Sequence, residues 1–265
     1  MKKENHLKLI ASDLDGTLLS DRKKGISERA IYLIKQLKKR GVFFVAASGR
    51  QYANMQMLFA PIKDDIAYVC ENGCLCCYKN KAIYEKKLNK SLALKIAKDV
   101  LAKGDYELEI STADCKYIIP KKQSFVDYFE NLAKVNFKQI SDVKMIKEPI
   151  LKVAFYGKDG IQDFQYWQNK YGQKCALHMG CSTWLDFTHI QSNKGYALKQ
   201  LLKFLKIDAK DCVAFGDYYN DKPMLDYVGC SIAMKSAVPP LVANSRYLTE
   251  SVEDTLEEIL NREFI

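Results

Sequence analysis

Two kinds of hydrophobic pattern alternate along this chain. Short apolar runs lie within Lys8-Leu-Ile-Ala-Ser12, Val42-Phe-Phe-Val-Ala-Ala47, Ile66-Ala-Tyr-Val-Cys70, Asp211-Cys-Val-Ala-Phe215 and Cys230-Ser-Ile-Ala-Met234. Continuous runs of this length predict strands buried on both faces, the habit of a parallel sheet covered by helices. Between them, apolar residues recur at helical spacing. Ile31, Ile34 and Leu37 follow a capping Ser27 and precede Gly41, and Leu198, Leu201, Leu202 and Leu205 follow Asn193-Lys-Gly195. Ser251 and Asp254 make a capping box ahead of a closing helix over 255–260. Strand, helix, strand in this order predicts an α/β domain.

The rhythm changes in the middle of the chain. Helices are expected over 91–103, 123–134 and 159–171, with short strands at 107–110, 117–119, 151–156 and 184–187. Those strands alternate apolar and polar residues, which predicts antiparallel pairing with one exposed face. The expected organisation is a Rossmann-like parallel-sheet core from 1–79 and 188–265, interrupted by an α+β unit at 80–187. No internal repeat or low-complexity segment interrupts it.

Composition narrows the class. The 265 residues are 48% hydrophobic and 28% charged, ordinary for a folded water-soluble protein. No apolar run approaches the roughly 18 residues of a membrane span. Met1–His6 and the short stretch after them are too charged for a signal peptide, so a cytoplasmic location is expected. Nine cysteines without framework spacing fit a reducing compartment. Cys74-Leu-Cys76-Cys77 lacks a second ligand pair for zinc. The net charge of +9 is spread over several helical faces, with no basic-aromatic stripe for nucleic acid.

Polar clusters sit where strands end or helices begin: Asp13 and Asp15, Ser48-Gly49-Arg50, Asn193-Lys194, and Asp217, Asn220 and Asp221. Ligands of open parallel sheets bind beyond the carboxyl ends of strands, so parallel neighbours would bring these clusters to one crevice. Four carboxylates gathered there cannot all ionise unaided, and a divalent cation with hard oxygen ligands, Mg²⁺ foremost, resolves the conflict. Three histidines in the whole chain disfavour zinc hydrolysis and a Ser-His-Asp triad. Lys194 opposes the dipole of the helix it opens at a cost of about 0.3–1 kcal/mol, so an anion such as a phosphate is expected beside it. Asn72-Gly73 is a tight-turn signal. Trp184 and Asp186 are lesser candidates to face the crevice.

Asp13-Leu-Asp-Gly-Thr-Leu-Leu19, Ser48-Gly-Arg50, Lys194 and Gly216-Asp-Tyr-Tyr-Asn-Asp221 resemble, in order and spacing, the four motifs of the haloacid-dehalogenase-like hydrolases. With the large insertion between the second and third motifs, the chain is similar to the Cof-like branch, whose insertion is an α/β cap. The resemblance implies phosphate-ester hydrolysis through an aspartyl-phosphate, acting on a small phosphorylated metabolite. Asp13 is then the nucleophile and Asp15 the general acid and base, with a pKa raised by crowded neighbours. Ser48 and Lys194 bind the transferring oxygens, and backbone N–H groups near Leu14, Asp15 and Gly49 complete a phosphate cradle, with Gly16, Arg50 and Asn220 also placed at the phosphate or substrate. Mg²⁺ is held by Asp13, the Asp15 carbonyl, Asp217 and Asp221. Tyr218, Tyr219, Lys235 and Ser236 depart from the family pattern. They leave a low-activity or non-catalytic phosphate-binding regulator as the alternative. Oligomeric state is not legible in the residues.

Overall fold

The computed structural model describes residues 7–19, 25–133 and 135–261; Met1–His6 and Lys134, the expected end of a helix, lie outside them. The chain begins with β1 (Leu9–Asp13), β2 (Phe43–Ala47), β3 (Ala67–Cys70), β4 (Leu75–Tyr78) and β5 (Lys81–Glu85). The insertion supplies β6 (Glu107–Ser111), β7 (Lys116–Ile119), β8 (Phe137–Gln139), β9 (Lys152–Tyr156), β10 (Cys175–Cys181) and β11 (Trp184–His189). The chain closes with β12 (Cys212–Gly216), β13 (Cys230–Met234) and β14 (Tyr247–Thr249).

Eight strands form one sheet in the order β14-β13-β12-β1-β2-β3-β4-β5. The pairs from β14 through β3 are parallel, and β4 and β5 add antiparallel strands at the edge. The continuous apolar runs are therefore the buried parallel strands, with β1 at 0% exposure from Leu9 to Ser12. Chain order reverses between β1 and β12, so the carboxyl ends of these two strands form the topological switch point. Helices Glu28–Lys39 and Lys194–Leu205 start where their caps predict, with Ser27 Oγ accepting from Ala30 N–H and Asn193 Oδ1 from Tyr196 N–H.

The remaining six strands form a second sheet, β10-β11-β9-β6-β7-β8, antiparallel except for β7 with β8. Helices Lys90–Ala102 and Phe164–Tyr171 contribute to the apolar core on one face, around Trp167, Phe155 and Phe187. The second of these begins later than the spacing predicts, because the Gly160 and Ile161 N–H groups are bound to Gly157 and Ser182 carbonyls in a turn. The helix expected over 123–134 is α-helical over Gln123–Asp127 and widens to a π-helix over Tyr128–Ala133. The hairpin keeps β5 in the larger sheet, and β11 continues the smaller one to His189, so the expected divisions at 80 and 187 fall inside paired elements. Cys74, Cys76 and Cys77 lie buried in and beside β4, and burial pushes the Cys74 and Cys77 thiols up to about 12. They are packing groups of the sheet.

One expectation about the smaller sheet is overturned. Its polar alternate face is not exposed: Glu109, Lys116, Lys152, Asp186 and Thr188 are all buried. Alternation records that a face is polar but not what covers it. Here the larger unit covers part of it, with Lys152, Asp186 and Thr112 each hydrogen-bonding a residue of that unit. Phe125 and Phe129 of the insertion's own helix cover another part, packing on Ile118, Tyr156 and Trp184.

Candidate active site

Asp13 is the last residue of β1, and the chain leaves it through a closed loop in which Thr17 and Leu19 N–H groups donate to the Leu14 carbonyl. Asp217 follows β12, the parallel neighbour of β1. Oxygens of Asp13, Asp217 and Asp221 all lie within 4.8 Å of one another. Lys194, the first residue of its helix, is fully buried, and its Nζ donates to Asp13 Oδ1 at 2.5 Å and to Asp221 Oδ1 at 2.6 Å. The anions that offset its unfavourable place on the helix dipole are thus the protein's own carboxylates.

The charges do not balance, since one ammonium faces three carboxyl groups. Burial, then the Asp221 charge, push the Asp13 carboxyl well above the usual carboxylate range against the pull of Lys194. Burial and Asp221 likewise raise Asp217, which the Thr17 hydroxyl counters by donating to Oδ1 at 2.8 Å. Burial alone would lower the Lys194 ammonium, but Asp13 and Asp221 together raise it above its ordinary value. Excess negative charge on hard oxygen donors is the donor chemistry that suits a small divalent cation. The residues therefore fit such an ion.

Asp221 has a different part from Asp13 and Asp217. One of its oxygens takes Lys194, and the other accepts the main-chain N–H groups of Asp217 and Tyr218, both at 3.0 Å. It builds the loop that presents Asp217. Because Tyr218 contributes its main chain, the departure from the family pattern at that position leaves the loop intact. Tyr219 is exposed, and Lys235 pairs with Glu250 on the surface.

Asp15 stands apart from the expected cluster of four. Its two carboxylate oxygens receive Arg50 Nε at 2.8 Å and the Arg50 terminal nitrogen at 2.5 Å. A bidentate cation replaces the crowding by acids that the sequence suggested. Gly16 donates its N–H to Leu19 O within the loop. Its role is close approach, for at φ +100° a Cβ there would sit 2.4 Å from Asp217 Oδ2. Leu14 turns its side chain into the core. Ser48 is buried at the end of β2, and its Oγ accepts the Arg50 N–H at 3.2 Å. Gly49 presents its carbonyl to Lys152 at 2.9 Å.

The second unit reaches this crevice through residues that sequence reasoning missed or left weak. Asn72, in a left-handed turn at φ 54°, donates to Asp186 Oδ2 at 2.7 Å and accepts from Asn220 Nδ2 at 3.0 Å. The turn signal was legible, but the bridge was not. Lys152 pairs with Glu71 at 2.6 Å and Asp186 at 3.1 Å. His178 shares a hydrogen bond with Thr188 Oγ1 at 2.9 Å, and burial, with Lys152 and Lys194 nearby, takes its imidazole down to about 4. Trp184 packs against Phe125, Tyr128 and Tyr156, so of the two candidates on β11 only Asp186 joins the polar bridge to the larger unit.

Comparison with known proteins agrees with this geometry. A haloacid dehalogenase-like hydrolase from B. subtilis superposes with a TM-score of 0.84 at 21% identity, covering 96% of this chain and all 100% of its own. A sugar phosphatase of HAD subclass IIB superposes with a TM-score of 0.83 at 18% identity, over 95% of this chain and 98% of its own. In sequence, the 5-amino-6-(5-phospho-D-ribitylamino)uracil phosphatase YbjI of Escherichia coli (strain K12) is 30% identical over 97% of both chains. The haloacid dehalogenase-like hydrolase family matches residues 10–256. A match that runs from β1 to the closing helix, through both sheets, means that this chain belongs to the haloacid dehalogenase-like hydrolases.

Proposed function

We propose that this phosphatase hydrolyses small phosphorylated metabolites, sugar phosphates or similar phosphomonoesters, by passing the phosphoryl group to Asp13 and then to water. The observation that carries the proposal is the buried meeting of Asp13, Asp217 and Asp221 with Lys194, residues up to 208 positions apart in sequence. The names of the E. coli relative and of the sugar-phosphatase neighbour support the substrate class. In this proposal 86–189 forms a cap over a core made of the rest.

Asp13 attacks phosphorus in line, forming its P–O bond as the ester P–O bond breaks. Lys194 and the Ser48 hydroxyl hold the transferring oxygens, where charge spreads in the transition state. Asp15 gives the leaving oxygen its proton, then takes one from the water that attacks phospho-Asp13, releasing phosphate and restoring the carboxylate. The grip of Arg50 supports the ionised Asp15 needed in that second step, and an arriving phosphate dianion competes for the same guanidinium. Asp13, Asp217 and the Asp15 carbonyl would hold Mg²⁺, with Asp221 fixing the loop behind them. When bound, the ion screens the repulsion between the phosphate dianion and the carboxylates.

Hydrolysis of p-nitrophenyl phosphate with Mg²⁺, with EDTA and by Asp13→Asn tests this. Turnover that needs the metal and disappears in the variant is expected. Activity surviving either change would overturn the mechanism. A panel of phosphorylated metabolites then ranks substrates, and uniformly negligible turnover would favour the regulatory alternative.

A further inference from the structure

Lys152 is a cation almost wholly buried on the central part of the smaller sheet, yet the backbone group it binds belongs to the other unit. Its ammonium has three donors. One goes to the Gly49 carbonyl at 2.9 Å, and the ammonium also forms ion pairs with Glu71 at 2.6 Å and Asp186 at 3.1 Å. Glu109 stands at 3.9 Å, committed to Lys116 at 2.7 Å. Ionic pairing at this position does not require a main-chain acceptor, since Glu71 and Asp186 already neutralise the charge. The contact with Gly49 is therefore informative.

The Gly49 carbonyl and the Arg50 N–H are opposite ends of one planar peptide unit. Lys152 holds the carbonyl, and Ser48 Oγ accepts the N–H at 3.2 Å. With that lone pair engaged, the Ser48 hydroxyl hydrogen is left to donate outward, and a charged donor on the carbonyl polarises the N–H at the other end. A glycine on one side of the peptide unit offers no Cβ to resist its flipping, so the orientation depends on these two bonds. We propose that Lys152 is a positioning residue for phosphate binding: from the cap, it fixes the Gly49–Arg50 peptide so that Ser48 presents its hydroxyl hydrogen to the substrate phosphate. Cap placement and phosphate affinity are thereby linked through one hydrogen bond. The inference rests on the phosphatase mechanism proposed above.

The test compares Lys152→Met, Glu71→Gln and the double variant K152M/E71Q. The double variant removes the cation with one of its buried counter-charges, which guards against loss of the fold. It is expected to raise the inhibition constant of inorganic phosphate and the KM for p-nitrophenyl phosphate about tenfold, while the Mg²⁺ concentration for half-maximal activity stays within about twofold. Glu71→Gln alone keeps the Lys152–Gly49 bond and is expected to retain wild-type phosphate inhibition. A merely structural role would move phosphate and Mg²⁺ responses together, or neither. Unchanged phosphate inhibition in the double variant, or an equal loss in Glu71→Gln, overturns the inference while an active wild type leaves the mechanism standing. A wild type without metal-dependent turnover or phosphate inhibition would overturn both.

Discussion

Asp217→Asn isolates the electrostatics of the crevice, because Asp217 is raised by burial and by Asp221 without a direct bond to Lys194. At the 4.8 Å limit of the cluster and an effective dielectric of 20, the repulsion that Asp217 feels from a neighbouring carboxylate is about 3.5 kcal/mol. Asp221 supplies this repulsion, which is offset by the Thr17 hydroxyl, the attraction to Lys194 and the contact with Asp13, and reduced by the partial exposure of Asp217. The net gain from neutralising it in metal-free protein is about 1–3 kcal/mol. Asparagine keeps an oxygen for the Thr17 hydroxyl, so the hydrogen bond survives. For a chain of this length the gain corresponds to a rise in Tm of about 3–10 °C.

The pH dependence has a definite sign. A carboxyl raised in the folded state contributes its full stability below the ordinary carboxylate pKa, near 4, and loses it as pH rises through the higher folded value. The advantage of the variant is therefore small near pH 4 and grows toward neutral pH. Thermal unfolding in EDTA across this range measures it, and the same scans with added Mg²⁺ reverse the order, since only the wild type gains from the ion. A variant less stable than wild type in EDTA at pH 7, or a wild type indifferent to Mg²⁺, would refute the electrostatic account.

Two further outcomes follow from the same cluster. Lys194→Met leaves Asp13 and Asp221 buried without their cation and is expected to cost about 3–5 kcal/mol in EDTA at pH 7, read by urea unfolding, and to abolish turnover. Gly16→Ala places a methyl 2.4 Å from Asp217 Oδ2 at a φ of +100°, and is expected to weaken Mg²⁺-dependent activity strongly, with the midpoint of the Mg²⁺ titration as the measurement.

The sequence by itself determined the parallel core. β1, β2, β3, β12 and β13 lie within a residue or so of the apolar runs, because a strand buried on both faces must be continuously hydrophobic. It also determined that Asp13, Ser48, Lys194 and Asp217 would stand at strand ends or helix starts, since the polar residues interrupt the pattern there. The edge strands β5 and β14, and β4 beside β5, were not legible, being short or partly polar segments whose pairing depends on a neighbour already in place.

Only the tertiary structure decided which charges meet. Asp13 and Asp15 are two residues apart, yet one turns to Lys194 and the other to Arg50, because the loop after β1 sends their side chains to different partners. The polar face of the inserted sheet likewise became a buried interface, where Lys152 and Asp186 bind residues of the larger unit. Periodicity fixes the side of an element on which a residue lies. The energy of a charge depends on what stands within a few ångströms of it, which the packing of distant segments decides.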